Sequence, residues 1–141
     1  MLMPKKTKYR KTQRGTRVGR SKGARTMQFG TFALQAVEPA WVTSQQIEAV
    51  RVTVIRKLKK GDLMFLRIFP DKPVSKKPAE TRMGKGKGNP ELWVAVVKRG
   101  RLILEITDTD PVTARAILKS AAHKLPLKTK IVTKDQLLAE A

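Results

Sequence analysis

"TSQQIEAVRVTVIRKLKKG", Thr43 to Gly61, carries the clearest structural signal in the chain. Thr43 offers a side-chain oxygen to a helix start, and Gln46 stands three residues on, the spacing of a capping box. Ile47, Val50, Val54 and Leu58 then fall within an arc of roughly 80° at about 100° per residue. Arg56, Lys59 and Lys60 lie on the far side, and Gly61 supplies a stop. The stretch therefore predicts an amphipathic helix with one face to pack and one positive face to present.

The apolar stripe needs something to pack against, and the flanking sequence supplies strands. Upstream, "MQFGTFALQAV" (27–37) has strand composition, with Phe29, Thr31, Ala33, Gln35 and Val37 on one parity. Gly30 predicts a bulge in that strand, and Glu38 and Pro39 end it. Downstream, "LMFLRIF" (63–69) reads as a strand. Leu92–Val97 and Leu102–Thr107 read as two more, joined through Gly100 as a hairpin. Asp110 caps a second helix with Pro111 at its first position. Its stripe is Ala114, Ile117, Leu118, Ala121 and Leu125, and Pro126 ends it. "KIVTK" (130–134) is a last strand, and the tail 135–141 adds at most a helical turn. Trp41 and Trp93 read as core anchors. Residues 27–134 thus make one domain, with no internal repeat.

Two segments do not belong to that core. Residues 1–26 hold ten basic side chains, no acidic ones and three glycines. Such a segment cannot bury enough surface to fold alone. It reads as a basic arm ordered against a partner, with a reach on the order of 80 Å when extended. Tyr9 within it is a candidate for stacking. Residues 70–90 contain no credible core element, and a connection of that length is usually functional. Prolines at 70, 73 and 78 stiffen its base. Its tip, "TRMGKGKGNPELW" (81–93), alternates glycine with lysine.

Charge sets the partner class. The 141 residues carry 31 Lys and Arg against 11 Asp and Glu, a formal net charge of +20. That imbalance strongly attracts a polyanion. Nucleic acid fits, whereas a membrane surface would call for a basic helix with exposed aromatic anchors. No cysteine is present, so disulfides, thiolate metal sites and cysteine nucleophiles are excluded. No apolar run of 18 residues exists, and the basic N-terminus is not followed by the apolar core of a secretory signal.

Enzyme chemistry finds no support. The single histidine, His123, lies opposite the stripe of the second helix, a solvated or phosphate-contacting position. Asp108 and Asp110 read as helix-start residues. Gly86-Lys87 is followed by Gly88, so no hydroxyl is placed for magnesium as in a Walker loop, and Asn89 breaks a dinucleotide fingerprint. No metal, cofactor or small-molecule substrate is expected. Glycine instead lets backbone N–H groups approach phosphates, while interleaved lysines neutralise them. The rivals to an RNA-binding protein are a sequence-tolerant DNA-binding protein, which shares the charge but shows no helix-turn-helix pattern, and a nucleotide-dependent enzyme.

"PKKTKYRK" (4–11), "VTSQQIEAVR" (42–51), "RIFPDKPVSKKPAETRMGKGKGNPELWVAVV" (67–97) and "AAHKLPLKTKIVTK" (121–134) resemble the bacterial-type large-subunit ribosomal protein family numbered sixteen. The resemblance runs from Met1 to about Lys134. It implies an α+β fold of alpha/beta-hammerhead type, with two helices on a mixed sheet. It implies binding to large-subunit rRNA beside the aminoacyl-tRNA site and the peptidyl-transferase region, contact with tRNA, neighbouring ribosomal proteins and a part in late subunit assembly. Lys5, Lys6, Lys8, Arg10, Lys11, Arg14 and Arg17 would thread between RNA helices, and Arg56, Lys59 and Lys60 would face phosphates. Arg82, Met83, Gly84, Lys85, Gly86, Lys87 and Gly88 form the matching tRNA-side loop. A bacterial cytoplasm and a plastid are both open as locations of such a ribosome.

Overall fold

Thr43 starts a helix by the predicted device. The Gln46 backbone N–H donates to Thr43 Oγ1 at 3.2 Å, and the Thr43 N–H donates to Gln46 Oε1 at 2.9 Å. A computed structural model describes residues 2–75, 84, 86–88, 90–107 and 110–140. In it the helix, α1, runs Ser44–Lys57. Around it are strands β1 (Phe32–Ala36), β2 (Ala40–Thr43), β3 (Met64–Leu66), β4 (Lys72–Ser75), β5 (Pro90–Val97), β6 (Leu102–Ile106) and β7 (Thr129–Thr133). Helices α2 (Pro111–Ala122) and α3 (Lys134–Glu140) complete the order.

The α+β class holds, with more division than the sequence suggests. The strands form two sheets, one ordered β3-β6-β1-β7 and the other β2-β5-β4. Every strand pair in them is antiparallel. Helix α1 packs on β2 and β5, α2 on β1 and β7, and the two helices pack on each other. The main core lies between these layers and includes Leu34, Val42, Ile47, Val54, Leu104, Ile106 and Leu118. A smaller cluster of Met27, Ala33, Leu102, Val132 and Leu137 covers the other face of the first sheet. Helix α3 supplies Leu137, and it begins with a second capping box, Thr133 with Gln136.

Several expectations need correction. Strands β5 and β6 are not a hairpin: they belong to different sheets. The turn after β5 is handed to β1 instead, since the Gly100 N–H donates to the Ala36 carbonyl at 2.9 Å and the Ala36 N–H to Arg101 at 2.8 Å. A local turn signal does not choose between partners that both bury apolar surface. Residues 70–90 do contain an element, because β4 pairs with β5 and sets buried Pro73 opposite Trp93. Proline is tolerated there because β4 is an edge strand. Strand β2, carrying Trp41, was not expected.

In the first predicted strand, burial covers all five residues of β1 rather than one parity, because both faces of the sheet are covered. The bulge lies in its pairing with β6, where Leu34 faces Leu104 but Gln35 faces Leu102. The extra residue, Ile103, thereby joins the main core. Gly30 serves a close approach instead: a Cβ there would sit 2.6 Å from the Ile106 carbonyl oxygen. Helix α1 stops at Lys57, where Leu58 turns extended, three residues before Gly61. Helix α2 ends at Ala122, ahead of Leu125 and Pro126.

Candidate nucleic-acid interface

Four acidic side chains are engaged within the fold. Glu105 is fully buried against Arg67. Glu48 pairs with Arg51 one helical turn away, and Arg51, as the nearest donor, holds the Glu48 carboxyl below its usual pKa. Asp110 caps α2, accepting from the Thr113 hydroxyl at 2.6 Å and the Val112 N–H at 3.1 Å. Glu38 accepts from the Lys128 N–H at 2.9 Å. The cations are left facing outward in excess.

The arm does not project freely in this structure. It is held to the body at three places. Leu2 packs on the main core. Arg20 bridges to Arg99 in parallel register, and the Leu102 N–H donates to the Ala24 carbonyl at 2.7 Å. Between these, residues 11–17 cross the second sheet. The Thr12 hydroxyl donates to the Pro73 carbonyl at 3.4 Å, and Lys11 Nζ donates to the Lys87 carbonyl at 2.8 Å. Lys87 Nζ returns a bond to the Thr12 carbonyl, and Lys72 Nζ donates to the Arg14 carbonyl.

Arm and glycine loop therefore converge. Lys11, Arg14 and Arg17 of the arm meet Lys72 of β4 and Lys87 of the loop in one cationic seam. A cleft of about 520 Å³ opens beside it, lined by Thr12, Gln13, Asp71, Lys72 and Arg101 among others. Burial, and then the charge of Arg67, pushes the Arg101 pKa below its usual value. Lys5, Lys6, Lys8 and Arg10 are exposed along the preceding arm. Tyr9 is exposed too, with Lys8 Nζ 5.6 Å from its ring centre.

Arg56, Lys59 and Lys60 are exposed at the C-terminal end of α1. Arg56 joins Lys57, Ser120, His123 and Lys124 around a surface hollow of about 400 Å³ between the ends of α1 and α2. His123 is exposed at that rim. Lys59 is less free, since its charge helps hold Asp110 low, after the hydrogen bonds from Thr113 and Val112. Of the loop, Gly84 and Gly86 have φ of +93° and +87° with open space around them. Glycine is needed there for backbone conformation, not for room. Arg82, Met83 and Lys85 lie outside the described residues, as does Asp108.

Two contributors escaped the sequence reading. Trp41, expected in the core, is only partly buried, with Arg17 and Lys72 at 5.0 and 5.2 Å from its ring centre. Its neighbour Val42 is the core residue, and a period-2 pattern running into the cap at Thr43 would have shown it. Arg20, Arg25, Arg99 and Lys130 gather around a further hollow of about 320 Å³; no spacing rule links residues so far apart in the chain. Among the described residues no three metal-ligating side chains gather, and no helix is long and apolar enough to cross a membrane.

Fold and surface together define a class: a small, strongly basic α+β protein with an extended cationic surface suited to a polyanion. The profile of one family, described as Ribosomal protein L16p/L10e, matches residues 4–132, and the chain belongs to that family. It is 53% identical over 141 residues to the large ribosomal subunit protein uL16 of Pseudothermotoga lettingae, covering 100% of this chain and 99% of the relative. It is accordingly a structural constituent of the large ribosomal subunit, located in cytoplasmic ribosomes, and not an enzyme.

Proposed function

We propose that this protein holds large-subunit rRNA beside the aminoacyl-tRNA and peptidyl-transferase region, contacts tRNA through residues 82–88 and supports late assembly of the subunit. Residues 1–26 act as the RNA-binding arm and 27–134 as the body that positions it. The observation that supports this reading most is the seam. The arm is hydrogen-bonded to Lys72 of β4 and to Lys87 of the loop in one cationic surface, so RNA contacted by the arm would run toward the loop. Binding works by charge neutralisation and shape, with phosphates contacted by Lys and Arg and no chemistry on the ligand.

A salt titration with large-subunit rRNA tests the mode. If about six phosphates are neutralised, affinity falls roughly 10³-fold between 50 and 200 mM salt. A flat response refutes it, and equal affinity for duplex DNA would favour a general nucleic-acid binder. The tRNA contact is tested separately by Arg82→Ala in assembled subunits. The expected result is normal assembly with slowed tRNA accommodation, and an unchanged rate removes the tRNA role.

A further inference from the structure

Side chains alternate across a sheet. On β2, Val42 enters the core, so Trp41 faces the opposite side. Register sets Trp41 against Val96 and Lys72 against Val94 on β5, which puts both side chains on that outer face. Val94 there is buried although it belongs to neither core cluster. The cover over this face is the arm. The Arg17 guanidinium lies over the Trp41 ring, and Lys72, also against that ring, donates to the Arg14 carbonyl. Gly15 passes so close that a Cβ on it would lie 3.4 Å from Lys72 Nζ. Arg14, Gly15, Thr16, Arg17 and Trp41 line a hollow of about 400 Å³.

The chemistry around this hollow is one-sided. Trp41 Nε1–H is buried and has no acceptor. Arg14, Arg17 and Lys72 have no carboxylate partner among the described residues. Indole, guanidinium and ammonium groups offer donors and no acceptors. A donor buried without a partner is costly, and the two cations on the ring, with Arg14 beside the hollow, repel one another. Both defects are removed by a single kind of ligand, an anion with several acceptor oxygens. A stacked base would satisfy neither, and Arg17 and Lys72 already lie against the ring.

We infer that the Trp41 hollow is a site for one backbone phosphate of bound RNA, with the indole N–H and Arg17 donating to its oxygens and Arg14 and Lys72 balancing its charge. Occupancy fixes the arm on the sheet, because two of the four groups come from the arm and two from the body. This rests on the RNA-binding reading above and adds to it a subsite with a hydrogen bond as well as charge.

The test uses the full chain carrying Trp93→Phe, which leaves Trp41 as the sole indole, with large-subunit rRNA as probe at fixed ionic strength. Trp41 emission should change and saturate as RNA binds. Trp41→Phe, which keeps a ring but has no N–H, and Arg17→Gln should each weaken RNA binding about tenfold, as for a hydrogen bond to a charged group. Circular dichroism checks that each variant folds, and Arg17→Gln alters only an exposed side chain. Emission that stays flat while RNA binds, or undiminished affinity in both variants, overturns the phosphate site and leaves RNA binding standing. No RNA binding by the parent chain overturns the wider reading. Saturation by inorganic phosphate alone, at phosphate concentrations below those RNA requires, overturns the assignment to RNA.

Discussion

The Glu105 carboxylate and the Arg67 guanidinium meet at 2.5 Å, with Glu105 wholly buried. The same carboxylate accepts from the backbone N–H groups of Gln28, Phe29 and Gly30 at 3.3, 2.8 and 2.9 Å. Arg67 also donates to the Thr26 carbonyl at 3.2 Å. One ion pair therefore latches the junction of arm and body, and the wholly buried carboxylate is satisfied by Arg67 and three backbone N–H groups. Breaking a buried pair by removing one partner typically costs about 3–5 kcal/mol, because it strands the other charge. Arg67 keeps some solvent contact, with 14% of its side chain exposed, so the lower end applies. Glu105→Gln should destabilise the fold by about 3 kcal/mol, read from the denaturant midpoint. A loss near zero would mean that the latch contributes little.

The neighbouring glycine is constrained by the same contact. At Gly30 an added Cβ would meet backbone, the Ile106 carbonyl oxygen, at 2.6 Å, and strand backbone cannot step aside like a flexible side chain. Gly30→Ala should cost about 1–3 kcal/mol, the range for overpacking. Gly86→Ala is the contrast. It meets nothing within 4 Å but holds φ at +87°, so its penalty is local strain of about 1 kcal/mol, carried by the loop and not by the core. Thermal unfolding of the two variants should rank them in that order.

These two positions show what a sequence reveals and what it withholds. The start of α1 was readable because a capping box needs only atoms within four residues, and the Asp110-Pro111 start of α2 for the same reason. The spacing at Thr133 and Gln136 carries the same signal, and it starts α3 where the tail read only as a helical turn. Partner choice was not readable. Val97 and Leu102 flank a good turn, closed by the Arg101 N–H on the Lys98 carbonyl, yet it is Ala36 of β1 that exchanges hydrogen bonds with Gly100 and Arg101. Gly30 looked like a bulge because a lone glycine in a strand announces close backbone approach without saying which kind. Among the site residues, charge density marked Lys11, Arg14 and Arg17, and the glycine run marked the loop. Their meeting through Lys72 and Lys87 depends on β4 pairing with β5, a long-range event that local pattern does not encode.

Asp110 gives the fold a defined acid dependence. Hydrogen bonds from Thr113 and Val112 favour the ionised cap and hold its pKa below the ordinary aspartate value. A carboxyl whose folded pKa is depressed contributes stability above its unfolded pKa and loses it as pH falls through the folded one. The contribution is therefore complete from about pH 5 upward and fades progressively below that. Asp110→Asn retains a capping side chain but cannot titrate. Denaturant midpoints measured from pH 2 to pH 7 should fall less steeply at the acid end for the variant than for the parent.

The cations at the end of α1 allow RNA contact to be separated from mere positive charge. Each Lys or Arg that neutralises a phosphate contributes about one unit to the salt slope of RNA binding, whereas a cation facing solvent contributes little. Arg56 is exposed beside Lys57, His123 and Lys124 at the α1–α2 hollow, and nothing acidic among the described residues pairs with it. Lys59 already acts on Asp110 and must divide its charge between the helix cap and any phosphate. Arg56→Gln should therefore lower the slope by about one, and Lys59→Gln by clearly less, while slightly reducing the acid sensitivity of the α2 cap, because the Asp110 carboxyl is then held less far down. Equal reductions would show that Lys59 faces RNA fully. An unchanged slope for Arg56→Gln would confine the RNA surface to the arm and the seam it forms with the glycine loop.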